Sequence, residues 1–97
     1  MKCGGHSAEK TDEEGLELIA SYKGIIEEFL GTTYEVFDPF AYTTQVVAGT
    51  VFQAKIRVDD GDVLHAKIFR PLPHTQKEPS VMKAEAGKSE DDGFNFS

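Results

Sequence analysis

The sequence predicts an α+β fold in which one long N-terminal helix packs on a curled antiparallel β-sheet. Residues 12–30 carry apolar side chains at the spacing of one helical face, and the chain after residue 33 alternates between apolar and polar residues. Short turn sequences separate the alternating segments, as expected for antiparallel strands. With 97 residues the chain has room for one hydrophobic core, so we expect a single domain spanning residues 1–97.

The helix is expected at about residues 12–30. Residues 1–10 show no periodicity and predict a mobile N-terminal arm, or trunk, so the folded body would span residues 11–97. Thr11 followed by Glu14 matches a capping box at the helix start, and Gly31 lies where a left-handed cap would end the last turn. One apolar stripe runs along the helix: Leu18, Tyr22, Ile25, Ile26 and Phe29.

Two glycines lie inside the predicted helix. Gly15 and Gly24 each weaken it by roughly 1 kcal/mol relative to alanine, so packing must hold the helix in place. Burial of the apolar stripe in the concave face of a curled sheet would provide that packing. Small residues would also let the helix backbone approach the sheet closely.

Four strands joined by three hairpins account for the rest of the chain. Asp38-Pro39 interrupts the first strand and predicts a bulge or bend. The polar, glycine-containing segment 59–62 predicts a tight turn between the second and third strands. His65 alternates with apolar neighbours, so we expect its side chain to face solvent on the side of the sheet away from the helix. The strands are predicted at residues 33–48, 50–58, 62–69 and 80–86.

Composition and charge argue against several classes of function. The formal charge of −7 disfavours nucleic acid as a partner, because phosphate binding needs clustered basic residues on one face. Cys3 is the only cysteine, so no internal disulfide forms, which fits a reducing compartment. The sequence shows neither the pattern of a secretion signal nor an apolar run of about 20 residues. We therefore expect a cytoplasmic protein with no membrane segment.

Enzymatic and metal-dependent activities are not expected. The three histidines, at positions 6, 65 and 74, lie on an arm, a strand and a turn, with no serine motif or paired cysteine beside them. Cys3 and His6 together offer a nucleophile and a base, or two metal ligands, but a mobile arm does not hold a fixed geometry or exclude water. We therefore assign no catalytic residue, no metal ligand and no cofactor.

The connection between the first two strands is unusually apolar for a turn. Val46 and Val47 are stiff, Ala48 and Gly49 add little bulk, and Gly49 can adopt backbone conformations that other residues avoid. A narrow tip that exposes valines is suited to insertion into a cleft. The pattern fits equally well an ordinary bulged hairpin whose valines are buried.

Two further segments have a structural and a functional interpretation. The prolines of Pro71-Leu72-Pro73-His74 fix the backbone and predict a stiff display loop, although the residues alone favour a simple end to an edge strand. Gly4-Gly5 near the start of the chain is typical of a flexible linker. Neither segment identifies a ligand by itself.

Three segments of the chain resemble one protein family. Gln45-Val46-Val47-Ala48-Gly49 matches the central signature of the cystatins. Met1-Lys2-Cys3-Gly4-Gly5 is similar to the N-terminal trunk of their stefin branch, and Pro71-Leu72-Pro73-His74 resembles the second binding hairpin of stefins. The segments follow the order and spacing of the family, and the similarity runs through the whole chain. The sequence is therefore similar to the single-domain, disulfide-free stefins, and the predicted fold is cystatin-like.

This resemblance implies a tight, reversible inhibitor of papain-like, cathepsin-type cysteine proteases. In stefins the trunk and two hairpins form one wedge that blocks the active-site cleft without being cut. Carried over to this chain, Lys2 and Cys3 would enter protease subsites, and Gly4 or Gly5 would let the arm bend. The hairpin roles would be buried contact for Val46, Val47 and Leu72, backbone geometry for Gly49, anchoring for Gln45 and a rim position for His74.

A second hypothesis keeps the fold without the inhibition. Opening the apolar tip would make one long strand of residues 33–58, and this strand could exchange between two copies of the chain. The protein would then be a binding or assembly module, and the wedge would be hidden. We expect a monomer, with a domain-swapped dimer as the alternative, and an inhibition assay distinguishes the two hypotheses.

Overall fold

The computed structural model describes residues 8–89 together with residues 93 and 94. This part of the chain contains two α-helices followed by four antiparallel strands, which confirms the α+β class. Single 3-10 turns, Asp59–Gly61 and Pro73–Thr75, lie in two of the connections. The helices and strands are α1 (Glu13–Ala20), α2 (Lys23–Leu30), β1 (Phe37–Val47), β2 (Gly49–Val58), β3 (Val63–Pro71) and β4 (Ser80–Lys88).

The prediction of one long helix is wrong in one respect, because the helical region is divided into two helices of eight residues each. The break lies at Ser21 and Tyr22. The Ser21 hydroxyl donates a 2.5 Å hydrogen bond to the Leu18 carbonyl oxygen, and its backbone N–H is shared between the carbonyls of Glu17 and Leu18. Serine side chains that bond to the backbone in this way compete with regular helix. The apolar stripe continues across the break, so its periodicity alone predicts a single helix.

The two ends of the helical region follow local capping rules. Asp12, and not Thr11, caps α1, because its carboxylate accepts a 3.0 Å hydrogen bond from the backbone N–H of Gly15. The predicted capping box is therefore one residue out of register. Gly31 ends α2 with a φ of 71°, and its N–H donates to the Glu27 carbonyl at 2.8 Å. The predicted left-handed cap is confirmed.

The sheet is a meander in the order β1-β2-β3-β4. The β1–β2 and β3–β4 connections therefore share one end of the sheet, and the β2–β3 connection lies at the other. The pairing of β1 with β2 shifts register between Pro39 and Ala41, which confirms the bulge predicted at Asp38-Pro39. Asp60 and Gly61 have φ values of 62° and 73°, so the β2–β3 connection is the tight polar turn that the sequence predicts.

The helices pack on one face of the sheet and form the core with it. Ile19 of α1 and Ile26 of α2 are fully buried, and each large aliphatic side chain buried in this way contributes about 1.5–3 kcal/mol. Phe29, which the sequence places in the stripe, is instead half-exposed at the surface of α2. Alternate strand residues complete the core: Tyr42, Phe52, Ala54, Ile56, Val58, Leu64, Ala66 and Ile68.

The opposite face of the sheet is also partly covered. His65 and Lys55 on this face are buried, and the ring of Phe94 lies over His65 with a centroid distance of 4.9 Å. The expectation that His65 faces solvent is therefore wrong. The alternation pattern places His65 on the correct face, but it carries no signal that residues near the C-terminus pack against that face.

The two helical glycines differ in their surroundings. A Cβ atom added to Gly15 would overlap the ring of Tyr42, whose hydroxyl donates a 2.6 Å hydrogen bond to the Asp12 carboxylate. A Cβ atom added to Gly24 would meet no atom within 4 Å. The close approach between helix and sheet that the glycines predict is therefore found at Gly15 and not at Gly24.

The glycine pair provides a matched test of this packing. Gly15→Ala should lower the free energy of unfolding by about 1–3 kcal/mol, because the added methyl group forces the Tyr42 ring to move. Gly24→Ala should raise it by up to about 1 kcal/mol, because the methyl group has space and alanine favours helix. Urea unfolding followed by circular dichroism measures both values. If both substitutions change the free energy of unfolding in the same direction, the two glycines do not differ in packing as the structure indicates.

The Asp12–Tyr42 hydrogen bond predicts how stability depends on pH. This bond is the main reason that the pKa of Asp12 lies below its ordinary value of 3.8 and that the pKa of Tyr42 is raised to about 12. The stability that Asp12 adds to the folded state is therefore present above pH 3.8, and it is lost as the pH falls through the lowered pKa of Asp12. The Tyr42 contribution is present below pH 10 and is lost as the pH rises toward 12.

Tyr42→Phe should reduce the loss of stability at both ends of the pH range. Thermal unfolding measured from acid to alkaline pH compares the variant with the parent. Tyr34→Phe is the control for the acid range, because it leaves the bond to Asp12 intact. Burial also raises the pKa of Tyr34, so this variant should itself lose less stability at alkaline pH. If the parent and Tyr42→Phe lose the same stability as the pH is lowered, this bond does not control the titration of Asp12.

Candidate functional site

Two loops lie side by side at one end of the sheet. The first loop comprises residues 45–49, which include the end of β1 and the start of β2, and the second loop comprises residues 71–75, which begin at the last residue of β3. Gly49 pairs with Pro71 across the β2–β3 ladder, so the last residue of the first loop is joined to the first residue of the second. The structure thus brings together the two hairpin segments that the sequence analysis selects.

The first loop exposes its apolar side chains. Val46 is 78% exposed and Val47 is 44% exposed, and Ala48 at the turn is exposed as well. The interpretation of this segment as a hairpin with buried valines is therefore wrong. Gln45 at the base of the loop is half-buried and pairs with Val51 across the strands.

Gly49 determines how closely the first loop approaches β3. Its φ of 131° is a conformation that residues with side chains rarely adopt. A Cβ atom there would overlap the carbonyl oxygen of Arg70 and would lie 3.0 Å from the Phe69 ring. Gly49 is buried, so its role in the site is to shape the loop and to keep it against the neighbouring strand.

The second loop is a short, internally bonded turn. Leu72 and His74 are exposed, whereas Pro71 is buried. Thr75 closes the turn, because its backbone N–H and its hydroxyl both donate to the Leu72 carbonyl oxygen, at 3.0 and 2.7 Å. Sequence reasoning missed Thr75, although a threonine hydroxyl commonly donates to the carbonyl three residues before it at a turn.

The N-terminal segment enters the sheet from the end that carries the loops. Lys10 and Tyr42 exchange two backbone hydrogen bonds, of 2.7 and 3.0 Å, in an antiparallel bridge. Because β1 runs toward the first loop, Ala8 lies on the loop side of Lys10. The arm residues that the sequence analysis assigns to the site lie outside the described residues: Cys3, Gly4 and Gly5.

The titratable groups of the described residues do not converge on the loops. His74 is exposed in the second loop, and His65 is buried on the face of the sheet opposite the helices. The described residues contain no group of three or more histidine, cysteine, aspartate or glutamate side chains that could hold a metal ion. None of the helices in the described segments has the length and apolar character of a membrane-spanning helix.

Comparison with known proteins gives relatives over nearly the full chain, although no family model matches the sequence. Cystatin-A of Felis catus is 38% identical over 93 residues, which cover 95% of each chain. Cystatin-B of Sus scrofa is 33% identical over 97 residues, which cover 99% of each chain. Leukocyte cysteine proteinase inhibitor 1 of Sus scrofa is 31% identical over 93 residues, covering 95% of this chain and 90% of the relative.

These identities and the α+β architecture define the class of protein. The chain belongs to the cystatin family, in the stefin branch that includes cystatin-A and cystatin-B.

Proposed function

We propose that this protein is a tight, reversible inhibitor of papain-like cysteine proteases, which it blocks by inserting the N-terminal arm and both loops into the active-site cleft. The observation that carries the proposal is the exposure of Val46, Val47 and Leu72 on two joined loops at one end of the sheet. A relative named as a cysteine proteinase inhibitor supports the class of target.

The loops would inhibit by shape and desolvation, without chemistry of their own. Apolar surface removed from water contributes about 25 cal/mol per Å², and the stiff valine side chains lose little rotamer freedom on binding. Because the Gly49–Pro71 pairing joins the loops, both would enter the cleft as one rigid edge. The bound loops would present no peptide carbonyl in line with the catalytic thiolate, so the inhibitor would not be cut.

The proposed binding residues fall into two groups. The exposed ones would touch the protease directly, with Val46, Val47 and Leu72 in dry contact and His74 at the rim. The buried or half-buried ones would act by holding the loops in shape, and these are Gln45, Gly49 and Pro71. Ala48 and Pro73 complete the two loop tips.

The arm would supply the third part of the wedge. As many residues separate Lys10 from Gly5 as separate Tyr42 from Val47, and extended chains rise by similar distances per residue. An arm that continues antiparallel to β1 therefore has the length to bring Gly4 and Gly5 level with the first loop. Cys3 would then enter a protease subsite. We place this activity in the cytoplasm, where a single unpaired cysteine stays reduced.

Val47→Asn tests the dry contact at the first loop. An amide forced into an apolar contact without a partner costs about 1–3 kcal/mol, so the inhibition constant should rise about fivefold to 150-fold. Val36→Asn is the matched control, because Val36 is 47% exposed but precedes β1 at the end away from the loops. We expect the control to inhibit a papain-like endopeptidase as the parent does. If the parent and both variants inhibit equally, Val47 does not lie in the interface with the protease.

Deletion of residues 1–5 tests the arm. The core residues of the described chain all follow Lys10, so the melting temperature should stay within about two degrees of the parent value. Dissociation from an endopeptidase should become markedly faster, because affinity lost at an interface appears mainly in the dissociation rate. Stopped-flow kinetics and thermal unfolding measure the two quantities. A large fall in melting temperature would show instead that the arm supports the fold.

A further inference from the structure

A buried lysine meets the root of the N-terminal arm on the face of the sheet away from the helices. Lys55 Nζ lies 2.7 Å from Glu9 Oε2, and the exposed fractions of the two side chains are 6% and 47%. Lys55 stands in the middle of the sheet, opposite Ala41 of β1 and His65 of β3. Burial of an ammonium group costs several kcal/mol unless an opposite charge compensates it.

Phe94 covers this ion pair from the other end of the chain. Lys55 Nζ lies 5.5 Å from the centroid of the Phe94 ring, and the same ring packs on His65. The negative face of an aromatic ring attracts a cation, and the ring also limits access of water to it. A less hydrated lysine interacts more strongly with Glu9 than an exposed one would.

Two acids on the described strands have cations of their own. Asp38 of β1 lies 3.4 Å from Arg57, and Glu85 of β4 lies 3.3 Å from Lys88. The ion pair between Glu9 and Lys55 is therefore formed in addition to these two pairs and does not replace either of them. Glu9 is also adjacent to Lys10, which is held to Tyr42 by two backbone hydrogen bonds. Two consecutive residues at the root of the arm are thus fixed, one by its backbone and one by its side chain.

We propose that Lys55 is a positioning residue for the N-terminal arm: its ion pair with Glu9, shielded by Phe94, directs the arm along β1 toward the first loop. The inference rests on the proposed function, because the arm matters only if it enters a protease. A directed arm loses less conformational freedom on binding than an undirected one, which improves affinity without any new contact.

The direction of the arm can be measured without a protease. Cys3 is the only cysteine in the chain, so a nitroxide spin label attaches at one defined position within the arm. In the parent protein the label should broaden the backbone amide signals of Val47 and Ala48 in nuclear magnetic resonance spectra. Glu9→Gln and Lys55→Met should each reduce this broadening by at least about half, because the arm then samples more directions.

Control variants separate direction from folding. Glu13→Gln removes an exposed acid in the first turn of α1, outside the ion pair, and should leave the broadening unchanged. Phe94→Leu should reduce the broadening and also shift the His65 ring signals, which lie within range of the Phe94 ring current. If Lys55→Met does not fold, Glu9→Gln alone decides, since Glu9 is half-exposed. Broadening that is equal in the parent and in Glu9→Gln would overturn the proposal.

Inhibition kinetics then connect the direction of the arm to function. Glu9→Gln should raise the inhibition constant of the full chain about three- to tenfold and should have no effect after deletion of residues 1–5. An equal effect in both backgrounds would mean that the ion pair supports only the fold, and would overturn the positioning role. A full chain that inhibits no papain-like protease would refute the proposed function, whereas the spin-label result would still decide the direction of the arm.

Discussion

Tyr42 connects the three parts of the molecule on which the site depends. Its hydroxyl bonds the carboxylate that caps α1, its ring fills the space left by Gly15, and its backbone pairs with Lys10. The same ring packs against Phe52 in the core, with a centroid distance of 6.1 Å. Asp12, Gly15 and Tyr42 therefore depend on one another for their positions. This arrangement fixes the root of the arm to the strand that leads into the first loop.

Single residues in the sequence predict those features of the fold that depend only on neighbouring residues. Gly31 forms the helix cap that its type predicts, and Pro39 marks the bulge in β1, because each acts through the backbone of its own neighbourhood. The break at Ser21 was missed because a serine hydroxyl bonded to the preceding turn leaves the apolar periodicity unchanged. His65 was misjudged for a different reason, since Phe94 covers it from a distant part of the sequence.

The same distinction applies to the candidate site. Val46 and Val47 stand out in the sequence because apolar residues at a turn contradict the usual chemistry of turns, and the structure confirms that both are exposed. The close fit of Gly49 against Arg70 depends on strand register, which the loop sequence does not contain. The ion pair between Glu9 and Lys55 joins residues 46 positions apart, so no local pattern could indicate it.

A protein that inhibits by shape must hold its loops in place before it meets a protease, so some residues serve stability and binding together. Gly49 is such a residue, because a side chain there would strain the backbone and push the first loop from β3 before any protease is bound. Val47 differs, because its side chain projects into solvent and the free protein loses little packing when it changes. Substitution at Val47 therefore reports on the interface, whereas substitution at Gly49 combines a change in the interface with a change in the fold.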